Sequence, residues 1–228
     1  MASDGYVAAG FDVIGVDINP QPNYPYTFIQ ADALTVLTEW LTLGTIHDRE
    51  TYPAAIHASP PCQAFTRAAH LRAAQGGESK YPDLLTPTLD LLTTTAVPWV
   101  VENVPGAPGM TGAARICGSS FGLDVQRHRL FLTSGWRLDS TPCNHKSFPL
   151  DPITNKPRPW GVYHVPGDSI PQGGRTARNA EHARELFGMT RPLPWDSIKE
   201  GFPPAYTEYV GGYLQRAIAA TLPPAPSP

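Results

Sequence analysis

The chain has 228 residues and a mass of 24.7 kDa, enough for one good hydrophobic core with a small appended lobe and too little for two full domains. No apolar run reaches the roughly 18 residues of a membrane span, and the amino terminus lacks the charged-then-apolar pattern of a secretory signal. Neither a membrane-spanning helix nor a secretory signal is therefore expected, and a cytoplasmic location is expected. The net charge of −3 is unevenly spread: residues 1–114 carry −7, residues 115–191 carry +5 and residues 192–228 carry −1. A basic stretch of this kind suits a face that binds a polyanion, and equally a solvated surface lobe. Three cysteines, Cys62, Cys117 and Cys143, are odd in number and widely spaced, which argues against a disulfide framework and for a reducing compartment. Cys117, Cys143 and His145 offer metal ligands, but without a paired C-x-x-C spacing no metal site is expected.

In chain order, Val13-Ile14-Gly15-Val16-Asp17-Ile18 is a short apolar run ending in a carboxylate and is expected to be a buried strand. Residues 33–43 then carry apolar side chains at helical spacing, with Asp32 placed to cap the helix. Ala54-Ala55-Ile56-His57-Ala58 is a second strand, residues 84–95 a second helix, and Trp99-Val100-Val101 a third strand. Alternating strands and helices, each strand with its chemistry-bearing residue at the carboxyl end, predict an α/β fold with a doubly wound, mostly parallel sheet. From Trp136 the composition shifts to Pro, Gly, Arg and His with a single helical segment at 181–187. The expected organisation is a core over 1–135, a small irregular recognition lobe over 136–193, a segment returning to the core over 194–220, and a disordered proline-rich tail over 221–228.

Two segments carry the chemistry. In Ser59-Pro60-Pro61-Cys62-Gln63-Ala64-Phe65-Thr66 a lone cysteine follows a Pro-Pro step whose backbone is largely predetermined, so its thiol is aimed by the chain itself. Val100-Val101-Glu102-Asn103-Val104-Pro105 places a carboxyl group at the end of the next strand. Taken singly, Cys62 reads equally as a small buried hydrophobe, Glu102 as a solvent-facing loop residue, and Arg127 with Arg129 as partners of surface carboxylates.

Together with Arg127-His128-Arg129 and with Pro203-Pro204-Ala205-Tyr206-Thr207-Glu208-Tyr209-Val210-Gly211, and in this order, these segments resemble the cytosine-C5 DNA methyltransferases over most of the chain. The resemblance implies a Rossmann-like, S-adenosylmethionine-dependent methyltransferase. In it Cys62 would be the nucleophile that adds to cytosine C6, Glu102 the acid at N3, Arg129 a contact to the base O2, and Arg127 an orienting residue. Asp17 would bind the ribose hydroxyls of the methyl donor, Ile18 would pack on its adenine, Asp32 would take the adenine amino group, and Pro61 would lie against the cofactor. The partner implied is double-stranded DNA with the target base flipped out, contacted by Gln63, Thr66 and Arg67, by a protein acting as a monomer. The family usually has Gln two residues before the first of the arginines; here Val125 stands there and Gln126 is displaced by one.

The family also opens with an apolar strand and a Phe-x-Gly-x-Gly loop. Residues 1–11 resemble the segment after that loop, so the first strand is expected to be missing from this sheet. A start upstream of Met1 and a truncated relative that has lost cofactor binding are the two explanations, and the difficulty of tolerating a missing central strand favours the first. A transfer-RNA cytosine-C5 methyltransferase and a non-catalytic nucleic-acid-binding remnant remain as alternatives. The short recognition lobe resembles compact members of bacteriophages and mobile elements, which would link the activity to restriction-modification.

Overall fold

A computed structural model describes residues 1–44, 52–65, 81–161 and 175–221. The protein is mixed α/β and divides into two compact units. One comprises residues 12–113, 131–138 and 211–228; the other comprises residues 1–11, 114–130 and 139–210.

In the first unit, β1 (Ile14–Asp17) pairs in parallel with β2 (Thr27–Gln30), from Ile14 opposite Thr27 to Asp17 opposite Gln30. A short helix α1 (Ala2–Ala8) precedes β1 in sequence, and after β2 the chain enters α2 (Ala33–Leu43). Asp32 accepts the backbone N–H of Thr35 at 2.8 Å at its amino end, and Gly44 closes it with φ +70°, a left-handed conformation that glycine adopts without steric cost. Next, β3 (Ile56–Ala58) pairs in parallel with β4 (Trp99–Asn103), and α3 (Leu85–Leu92) in the connection between them packs on α2.

All five residues of β4 are buried, as expected of a strand covered on both faces. The strand runs two residues beyond its predicted end, so Glu102 and Asn103 belong to the ladder and their side chains alternate across it. β5 (Ala114–Ile116) and β6 (Arg129–Thr133) complete a four-stranded sheet in the order β3-β4-β6-β5.

The single doubly wound sheet expected from sequence is therefore interrupted: β1 and β2 form a sheet of their own. No residue of β1 or β3 is fully buried, and Ile14 keeps 42% of its surface exposed. These are apolar strands of the kind that is covered when a neighbour lies on either side; each has one partner strand among the described residues.

The other unit holds β7 (Trp160–Gly161), β8 (Arg175–Thr176), α4 (Ala180–Leu186), α5 (Trp195–Glu200) and the first turns of α6 (Pro204–Thr221). Asn179 caps α4 by accepting the N–H of His182 at 2.9 Å. Val125, Ala183, Leu186, Phe187, Met189 and Ile198 form a core of its own, with Trp160, Leu193 and Trp195 packed around it. A region whose sequence reads as irregular thus has a hydrophobic centre, assembled from short helices and loops.

Candidate functional site

Three strand ends carry the residues singled out in the sequence. At the end of β1 the Asp17 carboxylate accepts the Asn19 N–H at 2.8 Å and the Gln21 side-chain amide at 3.2 Å, which together fix its orientation. Ile18 follows with 63% of its surface exposed, a large apolar side chain with an open face. Asp32, exposed, is held as the α2 cap and also accepts from the Thr35 hydroxyl at 3.0 Å.

At the end of β3 the chain passes through Ser59-Pro60-Pro61 to the half-buried Cys62, whose carbonyl accepts the Phe65 N–H at 2.9 Å and closes the turn Gln63–Phe65. Pro61 is exposed, Gln63 is half-buried, and Phe65 is buried beneath the turn. Thr66 and Arg67 lie outside the described residues. On the neighbouring strand Glu102 is 7% exposed and Asn103 1%.

Asn103 ties the two segments together. Its side-chain N–H donates to the Pro60 carbonyl at 3.1 Å, while its side-chain oxygen accepts the Val104 N–H at 2.9 Å. A buried amide satisfied in this way is costly to disturb, because each abandoned partner would be left without a hydrogen bond away from water. Sequence reasoning missed this role of Asn103; the signal was its place beside Glu102 after an unbroken apolar strand. His57, on β3, was likewise missed. Its Nε2 lies 2.8 Å from the Ser59 hydroxyl, and burial pushes the imidazole down to about 4, so it is neutral near pH 7.

Arg127 and Arg129 belong to the other unit. The Arg127 carbonyl accepts the hydroxyl of the fully buried Tyr206 at 2.5 Å, and the Arg127 guanidinium donates to the Lys199 carbonyl. Tyr206 stacks with Phe121 and with Phe202, with centroid separations of 5.6 and 5.7 Å. Arg129, 8% exposed, donates from Nη1 to the His128 carbonyl at 3.0 Å. The Arg-His-Arg segment is thus anchored from behind by the start of α6, which explains why a tyrosine stands in that helix where the sequence offered only a motif match.

The same unit brings together four side chains of the metal-ligating type. Cys117, His128, Cys143 and His145 bring four ligand atoms within 4.8 Å of one another. Cys117 Sγ lies 3.4 Å from His145 Nε2 and 3.2 Å from the Ser119 hydroxyl, and Cys143 Sγ lies 3.2 Å from His128 Nε2. Burial alone would raise the Cys117 thiol, but hydrogen bonds with His128, Ser119 and His145 outweigh it and bring the thiol down to about 5. The Cys143 thiol is pushed up, first by burial and then by the charge on Cys117. Spacing along the chain concealed the group because its fourth member, His128, sits between the two arginines of another motif.

No protein-family model matches the chain, and no curated protein matches it in sequence. Solved structures do resemble it. One is a crystal structure of a mutant DNMT2 from Spodoptera frugiperda, similar with a TM-score of 0.57 and 14% sequence identity over 94% of this chain and 96% of that one. The chain therefore shares the overall fold of that protein.

Proposed function

We propose that the protein is an S-adenosylmethionine-dependent methyltransferase acting on carbon 5 of cytosine, with Cys62 as the nucleophile and DNA as the substrate. The observation that carries the proposal is the Asn103–Pro60 hydrogen bond, which couples the cysteine loop to the strand bearing Glu102 at the carboxyl ends of two adjacent parallel strands. Open α/β sheets bind their ligands at such ends. The fold shared with DNMT2 supports the same assignment.

Carbon 5 of cytosine is too weak a nucleophile to take a methyl group unaided. The Cys62 thiolate would form a C–S bond at C6, and the displaced electron pair would move toward C5 and N3. Glu102, 7% exposed, would supply the proton or hydrogen bond to N3 as charge develops there. Once C5 carries the methyl group, the N3 proton would return to Glu102, a base would take the C5 proton, the C–H electron pair would form the C5=C6 double bond, and the C–S pair would leave with sulfur as the Cys62 thiolate. Arg129 would hold the base O2 and Arg127 would keep the segment in place. A base within a duplex would have to be turned out of the stack for this chemistry, and Gln63, with Thr66 and Arg67 outside the described residues, would be the candidate contacts to the nucleic acid. The basic excess within residues 115–191 would bear the nucleic-acid backbone, and residues 136–193 the target recognition.

The cofactor residues fit the adenosine part of the donor. Asp17 presents a half-buried carboxylate whose two oxygens have capacity beyond the bonds to Asn19 and Gln21, as a ribose diol requires. Ile18 offers an exposed apolar surface for adenine, Asp32 an acceptor for its amino group, and Pro61 a rigid exposed neighbour. The donor supplies an electrophilic methyl group when bound.

Trapping with 5-fluorocytosine tests the proposal, since fluorine at C5 prevents release of the cysteine. Incubation with fluorinated DNA and S-adenosylmethionine is expected to give a denaturation-resistant adduct that Cys62→Ser abolishes. An adduct with fluorinated RNA alone would transfer the chemistry to RNA. No adduct with either substrate, from folded protein, would leave a nucleic-acid-binding protein without catalysis.

A further inference from the structure

The four residues of the thiol–imidazole group come from three separate segments. Cys117 follows β5 and caps the 3-10 turn Gly118–Phe121; His128 immediately precedes β6; Cys143 and His145 lie in the loop beyond, where His145 opens the turn His145–Ser147. A tetrahedral ion with Zn–S about 2.3 Å and Zn–N about 2.0–2.1 Å holds its ligand atoms about 3.3–3.8 Å apart. The Cys117–His145 and Cys143–His128 separations of 3.4 and 3.2 Å have that scale, and all four atoms fit within 4.8 Å.

We propose that Cys117, His128, Cys143 and His145 bind one zinc ion as a structural Cys2His2 site that fixes the Arg127–Arg129 segment to the loop carrying residues 143–145. Two thiolates and two imidazoles favour zinc among the common divalent ions. Four protein ligands leave no position for water or substrate, so the site holds structure and performs no chemistry. An outer layer is already built. The Ser119 hydroxyl accepts the Asn144 N–H at 3.0 Å while lying 3.2 Å from Cys117 Sγ, which orients the sulfur and joins the loop that carries its partner ligands. Phe148, 2% exposed, stacks on the His145 ring at 5.5 Å and keeps water from that side.

His128 gives the ion its bearing on function. Its neighbours on either side are Arg129, assigned to the base, and Arg127, which keeps the segment in place, and its own carbonyl accepts from Arg129. Ligation at Nε2 would lock the imidazole and with it the backbone from which both arginines project. The other tie on this segment, Tyr206 to the Arg127 carbonyl, approaches from α6.

Elemental analysis of the full chain purified with zinc is expected to give about one ion per molecule. Cobalt exchanged into the stripped protein is expected to develop thiolate charge-transfer absorption and the visible bands of a tetrahedral site. Cys143→Ser and His128→Ala should each abolish stoichiometric zinc, whereas Cys62→Ser should retain it. Should those variants fail to fold, the wild-type protein decides the matter by thiol titration: Cys62 alone reacts in the zinc form, and all three cysteines react after chelation. Folded wild-type protein that retains no zinc and takes up no cobalt would overturn the proposal, as would a Cys117–Cys143 disulfide in the purified chain. Zinc content is measured independently of methyl transfer, so failure of one proposal is distinguishable from failure of the other.

Discussion

At the residue scale, the proposed chemistry concentrates on side chains whose neighbours restrict them. Glu102→Gln keeps the shape of the buried carboxyl while removing its transferable proton, and should lower the rate of methyl transfer about 10²–10⁴-fold, measured by single-turnover kinetics with fold monitored by circular dichroism. Asn103→Ala should cost about 1–3 kcal/mol in denaturant unfolding, because the Pro60 carbonyl and the Val104 N–H both lose a partner, and should slow adduct formation at Cys62. A variant that leaves both quantities unchanged would mean that the hydrogen bond does not hold the cysteine loop. His57 supplies a pH dependence. Its folded value is depressed to about 4 from 6.5, so the unfolded chain binds the extra proton between those limits. Its contribution to stability is complete above about pH 6.5 and is lost as the pH falls toward 4. His57→Gln should flatten that part of the melting-temperature profile.

At the element scale, α1 and α6 meet with no room between them. A Cβ on Gly5 would lie 2.0 Å from the Pro204 carbonyl and 2.7 Å from the Glu208 nitrogen, both backbone atoms that a side-chain rotation cannot move. The Thr207 hydroxyl also donates to the Ala2 carbonyl at 2.7 Å. Gly5→Ala should therefore force the helices apart and destabilise the protein by at least about 1–3 kcal/mol, read from thermal unfolding. Helices α2 and α3 and the strands β1, β3 and β4 were legible in the sequence because long apolar periodicity and unbroken apolar runs are strong local signals. β2, with Phe28 and Ile29 alone as apolar members, was too short to read. The split between the β1-β2 pair and the four-stranded sheet was not legible, since pairing is a relation between distant segments that local pattern does not encode.

At the scale of the whole molecule, the strand-end residues and the irregular region differ in how far the chain advertises them. Cys62 and Glu102 announce themselves because each terminates an apolar run at a position where such sheets bind ligands. The core around Phe187 and Ile198, and the group around Cys117, are drawn from segments tens of residues apart without periodicity, and became visible only in three dimensions. No helix among the described residues is long and apolar enough to cross a membrane. The buried phenols of Tyr6 and Tyr206 give the protein an optical signature. Burial raises both above the ordinary tyrosine value of 10.0, so each stays protonated while the fold persists and the unfolded chain releases the proton first. Stability from these groups is intact below pH 10 and declines as the pH rises beyond it. Phenolate absorbance near the wavelength of ionised tyrosine should then increase in two stages, a gradual one from accessible rings and an abrupt one coincident with the loss of helical circular dichroism. Tyr206→Phe should shrink the second stage, making alkaline titration a gauge of whether α6 still grips the arginine segment.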